Sequence, residues 1–237
     1  MKIVIIRHAE PDYEKNSLTE KGFKEARLLG KRYSASDFDY IYSSPLPRAV
    51  LTAEAVMKGE KEIKILPWLE EFYHPYFEED DTKRVNWDFL PSYINKHKEI
   101  ISDKYLEFDK FQNVHLKEEY EKVIKGLDDL LSQHGYKRNG LFYDVIKGNK
   151  DTIVLFCHFG MMSVILSHFF NIPYTLIAQF TVCQPSGVTV LVSEEREKGI
   201  AQFRMMKYGD ISHLENAKEE ASFHGRFCEN FEDDTRH

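Results

Sequence analysis

Apolar and polar positions divide the chain into strand-like runs and helix-like stripes that alternate. Lys2–Ile6 is a β-branched run without polar alternation, the pattern of a central strand covered on both faces, and Thr152–Cys157 is a second such run. Tyr40–Tyr42 and Ile63–Leu66 read as shorter strands, and Gly187–Val192 and Ala201–Met206 as a final pair around the polar turn Glu194–Gly199. After the first run, Thr19 stands as an N-cap and Leu18 and Phe23 occupy the two positions of a hydrophobic staple. Phe23, Ala26, Leu29, Gly30 and Tyr33 then continue at helical spacing. Val50, Ala53 and Met57 share one face of a second helix whose first turn holds Arg48. Leu116, Tyr120, Val123, Leu127, Leu130 and Leu131 form the stripe of a third, ending near Gly135, and His158-Phe159-Gly160 opens a buried helix running through Phe170.

Strands that alternate with helices predict an α/β fold: a three-layer α/β/α sandwich with a mostly parallel sheet and helices on both faces. The 237 residues suffice for one well-buried core, so a single domain is expected over residues 1–237. Residues 72–114 break the pattern. They are aromatic, charged and irregular, and read as a helical insertion or cap near the strand ends, with one helix between Pro91 and Phe108. Tyr136–Lys150 reads as a hairpin or excursion with a turn signal at Gly148-Asn149, and 215–237 as a polar tail, loose at its end.

In open α/β sheets ligands gather at the carboxyl ends of strands. Arg7-His8, Ser43-Ser44 leading to Arg48, and His158 all follow strand runs, so they converge on one edge from distant parts of the chain. Two guanidinium groups and a helix amino end make an anion site, and a phosphate monoester, with a charge of about −1.5 to −2, suits it better than a carboxylate. A histidine among such cations resists protonation and stays neutral, the form a nucleophile needs. His8 is therefore the candidate nucleophile and His158 a candidate donor to the phosphate oxygens. Glu71 is the candidate acid for the leaving alkoxide, with Glu70 competing for that role. Taken singly, a histidine is more often structural and an arginine at a helix start more often pairs with a nearby carboxylate. The conjunction carries the reading.

Composition narrows the partners. A net charge of −7 without a basic cluster argues against nucleic acid, and 14% aromatic residues within 42% hydrophobic content argue against disorder. No run of about 18 apolar residues is present and the first apolar run is too short for a signal peptide, so no membrane association and a cytoplasmic location are expected. Cys157, Cys183 and Cys228 lack CxxC spacing, which suggests neither a disulfide framework nor a zinc knuckle; Cys157 and Cys183 read as small buried apolar residues. Two histidines beside two arginines disfavour a divalent cation, so neither metal nor cofactor is expected. The remaining partner is a small phosphorylated substrate.

Arg7-His8-Ala9-Glu10, Leu18-Thr19-Glu20-Lys21-Gly22, Ser43-Ser44-Pro45-Leu46-Pro47-Arg48-Ala49-Val50-Leu51-Thr52-Ala53 and Cys157-His158-Phe159-Gly160 occur in that order. They resemble the RHGE, LTxxG, SSPLxRAxxTA and second-histidine blocks of the histidine phosphatase superfamily, which includes the cofactor-dependent phosphoglycerate mutases. Leu69-Glu70-Glu71 resembles the LxE of that family, and the resemblance covers roughly residues 1–71 and 115–210. It implies a phosphohistidine at His8, phosphate contacts from Arg7, Arg48 and His158, an acid at Glu71, and hydrolysis of a phosphomonoester. Ala9 and Phe159 replace glycines common in the family, which narrows the pocket while leaving their backbone N–H groups available. The loop between His8 and Leu18 lacks the usual tryptophan–asparagine pair, leaving Asn16 as a candidate replacement phosphate contact. The mutase-type RHGESxWN is absent, so hydrolysis is expected over mutase-type transfer. A weakly catalytic phosphate-binding or interaction module is a third reading, against which every candidate catalytic residue is present. His213 resembles a feature that helps close the pocket, a structural role being the alternative. The aromatic residues of the insertion, among them Tyr73 and Trp87, either line the leaving-group site or pack the insertion onto the domain.

Overall fold

The computed structural model describes residues 1–226 together with 230 and 231. The chain begins with β1 (Lys2–Arg7), a small hairpin of β2 (Pro11–Asp12) and β3 (Ser17–Leu18), α1 (Glu20–Arg32), β4 (Tyr40–Ser43), α2 (Pro47–Met57) and β5 (Lys64–Ile65). The insertion contributes β6 (Tyr76–Phe77), β7 (Lys83–Arg84), α3 (Pro91–Lys96) and α4 (Asp109–Gln112). There follow α5 (Leu116–Gln133), the hairpin β8 (Tyr136–Asn139) and β9 (Phe142–Val145), β10 (Thr152–Cys157), α6 (Phe159–Phe170) and α7 (Tyr174–Phe180). The long hairpin β11 (Val188–Glu197) and β12 (Ile200–Asp210) and the short α8 (Ser212–Glu215) complete the order.

Eight strands form one sheet in the order β5-β4-β10-β1-β11-β12-β9-β8. The expected parallel core is its first half, β5, β4, β10 and β1, and beyond β1 the sheet continues antiparallel. The division follows from the connections. Parallel neighbours need a crossover, which the helices provide, whereas the antiparallel half is built from hairpins. Because side chains alternate across a strand, Ile3, Ile5, Ile153 and Leu155 join the apolar cluster of α5, α6 and α7, while Val4, Ile6, Val154 and Phe156 join Leu29 of α1 and Val56 and Met57 of α2. Helices thus cover both faces, and each buried aliphatic side chain contributes about 1.5–3 kcal/mol. Thr19 caps α1 as its position predicts, its Oγ1 accepting the Gly22 N–H at 2.9 Å, and Leu18 packs with Phe23.

Three local expectations need correction. The single helix between Pro91 and Phe108 is instead α3 followed by two 3-10 turns, Lys98–Ile101 and Tyr105–Glu107. The helix leaves its geometry at His97 (φ −122°, ψ +62°), and Ser102 closes the first of the two turns: its Oγ donates to the Glu99 carbonyl and accepts the Lys104 N–H, offering the backbone a local alternative. The hairpin within Tyr136–Lys150 turns at Gly140, where φ is +58°, and not at Gly148-Asn149. The final two strands are longer than their apolar stretches, because β11 and β12 extend as a paired ribbon past the core. The described part of the tail is tied down: Lys21 donates to the Glu219 carboxylate and the Glu220 carbonyl, Lys24 pairs with Glu219, and Ser222 is buried. The end of the tail, on which the expectation of a loose terminus falls, and Cys228 lie outside the described residues. The insertion shares the main core, since Phe72, Tyr76, Phe89 and Phe111 belong to the same apolar cluster as Leu127 and Met162.

Candidate active site

Sheet register assembles the site. Arg7 pairs with Cys157 across β1 and β10, and Phe156 pairs with Ser43 across β10 and β4, so His8, His158 and Ser44 leave three adjacent parallel strands at one level. Backbone bonds continue past the strand ends: the His8 N–H donates to the Cys157 carbonyl at 2.9 Å and the Ser44 N–H to the Phe156 carbonyl at 2.9 Å. The His8 and His158 rings lie 5.0 Å apart between centroids, tilted by 55°. Both are almost wholly buried.

His8 Nδ1 lies 2.7 Å from the Ala9 carbonyl oxygen. A carbonyl only accepts, so Nδ1 carries the proton and Nε2 keeps its lone pair. Burial, then the charges of Arg7 and Arg48, hold His8 well below its ordinary pKa, and His158 is lowered in the same way by burial, His8 and both arginines. Both imidazoles are neutral at physiological pH.

Arg7 donates from Nη1 to the Cys183 carbonyl at 2.5 Å and lies over the Phe159 ring, 5.7 Å from its centroid. Gly225 of the tail closes on the other side of this guanidinium: a Cβ there would come within 2.8 Å of Arg7 Nη2. Arg48, in the first turn of α2, lies 5.5 Å from the centroid of the exposed Tyr13 ring. Thr52 locks α2 to the loop after β1, donating to the Arg48 carbonyl at 2.7 Å and accepting the Ala9 N–H at 3.0 Å. The Ala9 N–H is therefore occupied, contrary to the expectation that it stays available.

Glu71 and Glu70 separate cleanly. Glu70 is exposed, whereas Glu71 Oε1 accepts the N–H groups of Phe72 at 3.0 Å and Met161, in the first turn of α6, at 3.1 Å. Burial raises the Glu71 carboxyl above the ordinary carboxylate range; Arg7, the Met161 N–H and Arg48 oppose the shift without cancelling it. Asn16 is exposed at a left-handed position, φ +50°, in the turn between β2 and β3, and Tyr13 is the residue of that loop found on Arg48.

Among the supporting groups, sequence reasoning placed Ser44 at the strand end without giving it a role, named His213 with two readings, and missed Ser186. Ser44 Oγ lies 2.8 Å from His158 Nε2, and Ser186 donates its backbone N–H to the His8 carbonyl at 3.0 Å. His213, buried, with its pKa lowered to about 4 mainly by burial, lies with Nε2 2.9 Å from Ser186 Oγ, so it supports the residue whose backbone holds the His8 carbonyl. Serines in loops carry no periodic signal. Cys157 and Cys183 are buried as expected, with thiols pushed up by that burial. No helix among the described residues is long and apolar enough to cross a membrane.

A parallel-sheet edge with two neutral histidines between two arginines defines a phosphate-handling α/β protein. The chain belongs to the histidine phosphatase superfamily (branch 1), whose family model matches residues 3–206. It is similar to phosphoserine phosphatase 1 of Hydrogenobacter thermophilus, 35% identical over 69 residues, a match spanning 25% of this chain and a third (33%) of that relative. A Schizosaccharomyces pombe protein described as a probable phosphatase is 22% identical over 230 residues, covering 91% of this chain and 96% of the relative. Among solved structures, a phosphoserine phosphatase variant from Entamoeba histolytica in complex with phosphoserine shares the fold at a TM-score of 0.58 and 19% identity, covering 90% of this chain and 98% of that one. The alpha-ribazole phosphatase of Shigella flexneri does so at 0.54 and 18%, covering 89% and 97%.

Proposed function

We propose that this protein hydrolyses phosphomonoesters of a small phosphorylated metabolite through a phosphohistidine on His8, without a metal ion. One observation carries the reading: among the described residues, Arg7 Nε, Arg48 Nε and His158 Nδ1 are buried polar atoms with no protein hydrogen-bond partner. Buried donors are rarely left unpaired, and three of them in the residues gathered around a neutral nucleophile await an anion with several oxygens. Ser44 Oγ, which accepts the Leu46 N–H at 3.2 Å, still has its own proton to donate to His158 Nε2, leaving Nδ1–H for a phosphate oxygen.

In the first step His8 Nε2 forms a bond to phosphorus as the ester P–O bond breaks, while Arg7, Arg48 and His158 neutralise the equatorial oxygens. Glu71 gives its proton to the departing oxygen, from Oε2, since Oε1 is held by two N–H groups. In the second step Glu71, now a carboxylate, takes a proton from water as the water oxygen bonds to phosphorus and the P–N bond breaks, returning His8 and releasing phosphate. Family membership and phosphatase relatives support the reading. Rapid quenching with labelled nitrophenyl phosphate should trap an acid-labile, alkali-stable phosphoryl group that His8→Ala cannot form. Full turnover in His8→Ala would overturn the assignment.

A further inference from the structure

The segment that follows Glu71 is held unusually firmly. Asn86, wholly buried, accepts the His74 N–H at 3.0 Å through Oδ1 and donates through Nδ2 to the Phe72 carbonyl at 3.4 Å and the Tyr174 hydroxyl at 3.3 Å. Tyr174 Oη in turn donates to the Asn86 carbonyl at 2.7 Å. These bonds join the insertion to both the chain leaving Glu71 and to α7, and they fix the backbone of the next residue, Trp87.

The indole of Trp87 arrives at the candidate acid. A Cβ built on Gly160 would lie 2.8 Å from Glu71 Oε1 and 3.0 Å from Trp87 Cε3 and Cζ3, so the carboxyl and the ring edge converge on the bare α-carbon of Gly160. Tyr73 backs the indole at 5.7 Å between ring centroids. Each alternative at residue 160 would separate the two groups, which explains a glycine in the first turn of a helix, where it is otherwise unfavourable.

We propose that Trp87 is a positioning residue for the proton-transfer step, its indole excluding water from the Glu71 carboxyl so that the carboxyl keeps its proton until the leaving group needs it. The proposal rests on the reading of Glu71 as the acid. A carboxyl that shares its place over Gly160 with an indole has less water around it, and so loses solvation that favours its anion. The charged and titratable groups that face it work the other way or add little: Arg7 from β1 and Arg48 from α2 favour the anion, as do the N–H groups of Phe72 and Met161, while Cys157 from β10 is a buried thiol. Burial prevails over them, and Trp87 is the large apolar ring that meets the carboxyl at Gly160.

The test compares propyl phosphate, whose alkoxide must be protonated, with nitrophenyl phosphate, whose leaving group departs without help. In the wild type, kcat for propyl phosphate should fall as pH rises through the Glu71 titration. In Trp87→Ala that descending limb should move at least one unit lower, a loss of about fivefold or more in kcat at the original midpoint and approaching tenfold above it, with a much smaller effect on nitrophenyl phosphate. Trp87→Phe should keep the limb within a few tenths of a unit. A limb that stays in place in Trp87→Ala overturns the proposal. If Trp87→Ala loses turnover of both substrates, Trp87→Gln, which fills more of the space with a wettable group, gives the same reading; loss of both substrates in both variants means that the indole serves the fold, and also overturns it. Glu71→Gln separates the two layers. No selective loss of propyl phosphate turnover there removes the acid itself, whereas selective loss there with an unmoved limb in Trp87→Ala removes only the role of Trp87.

Discussion

His158 Nε2 lies 2.8 Å from the Ser44 hydroxyl, and both groups are buried. β4 and β10 are adjacent and parallel, so this pair is fixed by the sheet, and the hydroxyl selects which imidazole nitrogen faces the phosphate site. Ser44→Ala should leave Nε2 without a partner and free the ring to change tautomer. Losing such a buried bond corresponds to about 1–3 kcal/mol, so kcat/KM should fall roughly tenfold or more, with the melting temperature lowered modestly. Steady-state kinetics beside a thermal unfolding curve separates the two effects; unaltered kinetics would show that the hydroxyl does not govern His158.

The pH profile should be displaced to the acid side. His8 is held well below its ordinary value by burial and the two arginines, so acidification from pH 7 to 5 should not protonate the nucleophile. Glu71 is raised, so the protonated acid survives above the usual carboxylate range and is lost as pH rises further. For propyl phosphate, kcat should therefore survive acidification below pH 7 and decline on the alkaline side as the raised Glu71 carboxyl ionises. The parameter to read is kcat, because free substrate phosphate itself titrates near pH 6 and would shape kcat/KM. A kcat that collapses between pH 7 and 6, as an ordinary histidine base would dictate, speaks against a desolvated His8.

Much of this site was legible because its residues sit where regular patterns end. The β-branched run of β1 points to Arg7-His8, the all-apolar β10 to His158, and the turn into α2 to Arg48, each with a periodicity that long-range packing then respects. The staple at Leu18 and Phe23 was readable for the same local reason. The insertion was not, since the break after Lys96 and the turn that Ser102 closes are local, and its aromatic residues pack into the cluster shared with α5 and α7. Glu71 was favoured over Glu70 by the LxE resemblance alone; the contrast in their surroundings, Glu70 exposed and Glu71 bonded by the N–H groups of Phe72 and of Met161, ninety residues away in α6, had no local signal. The return of the tail onto α1 and Arg7 had no sequence signal, because it is made by surface lysines and a single glycine.

Activity should survive exhaustive chelation. On the proposed mechanism Arg7, Arg48 and His158, with buried atoms still unpaired among the described residues, would supply the positive charge and hydrogen-bond donors that a Lewis acid would otherwise bring to the phosphoryl oxygens. Turnover of nitrophenyl phosphate before and after dialysis against a strong chelator should agree within experimental scatter. Loss of turnover, restored by zinc or magnesium, would require a different mechanism. Arg48→Lys, by contrast, should lower kcat/KM by at least tenfold, because an ammonium cannot reproduce the planar fork on a phosphate.

Glu25 offers a stability prediction with a definite sign. It is wholly buried on α1, where Oε2 accepts the Glu10 N–H at 2.8 Å and Oε1 has no partner among the described residues. Burial raises its pKa from 4.5 to about 7; the Glu10 charge adds to the shift, while the N–H groups of Glu10 and Ser222 and the Lys21 charge oppose it. The folded state therefore holds a proton that the unfolded chain has already released at pH 5 to 7. Stability from this group is complete below about pH 4.5, declines as pH rises, and is fully lost above about pH 7. A shift of 2.5 units at 1.36 kcal/mol each corresponds to about 3 kcal/mol as an upper bound. Glu25→Gln cannot ionise, so urea unfolding of the wild type should show stability falling between about pH 4.5 and 7 relative to the variant, the change accumulated over that window approaching that figure. Because Glu25 also holds the backbone of the loop after His8, a variant with parallel curves would mean that the carboxyl is already ionised and tolerated beside that loop.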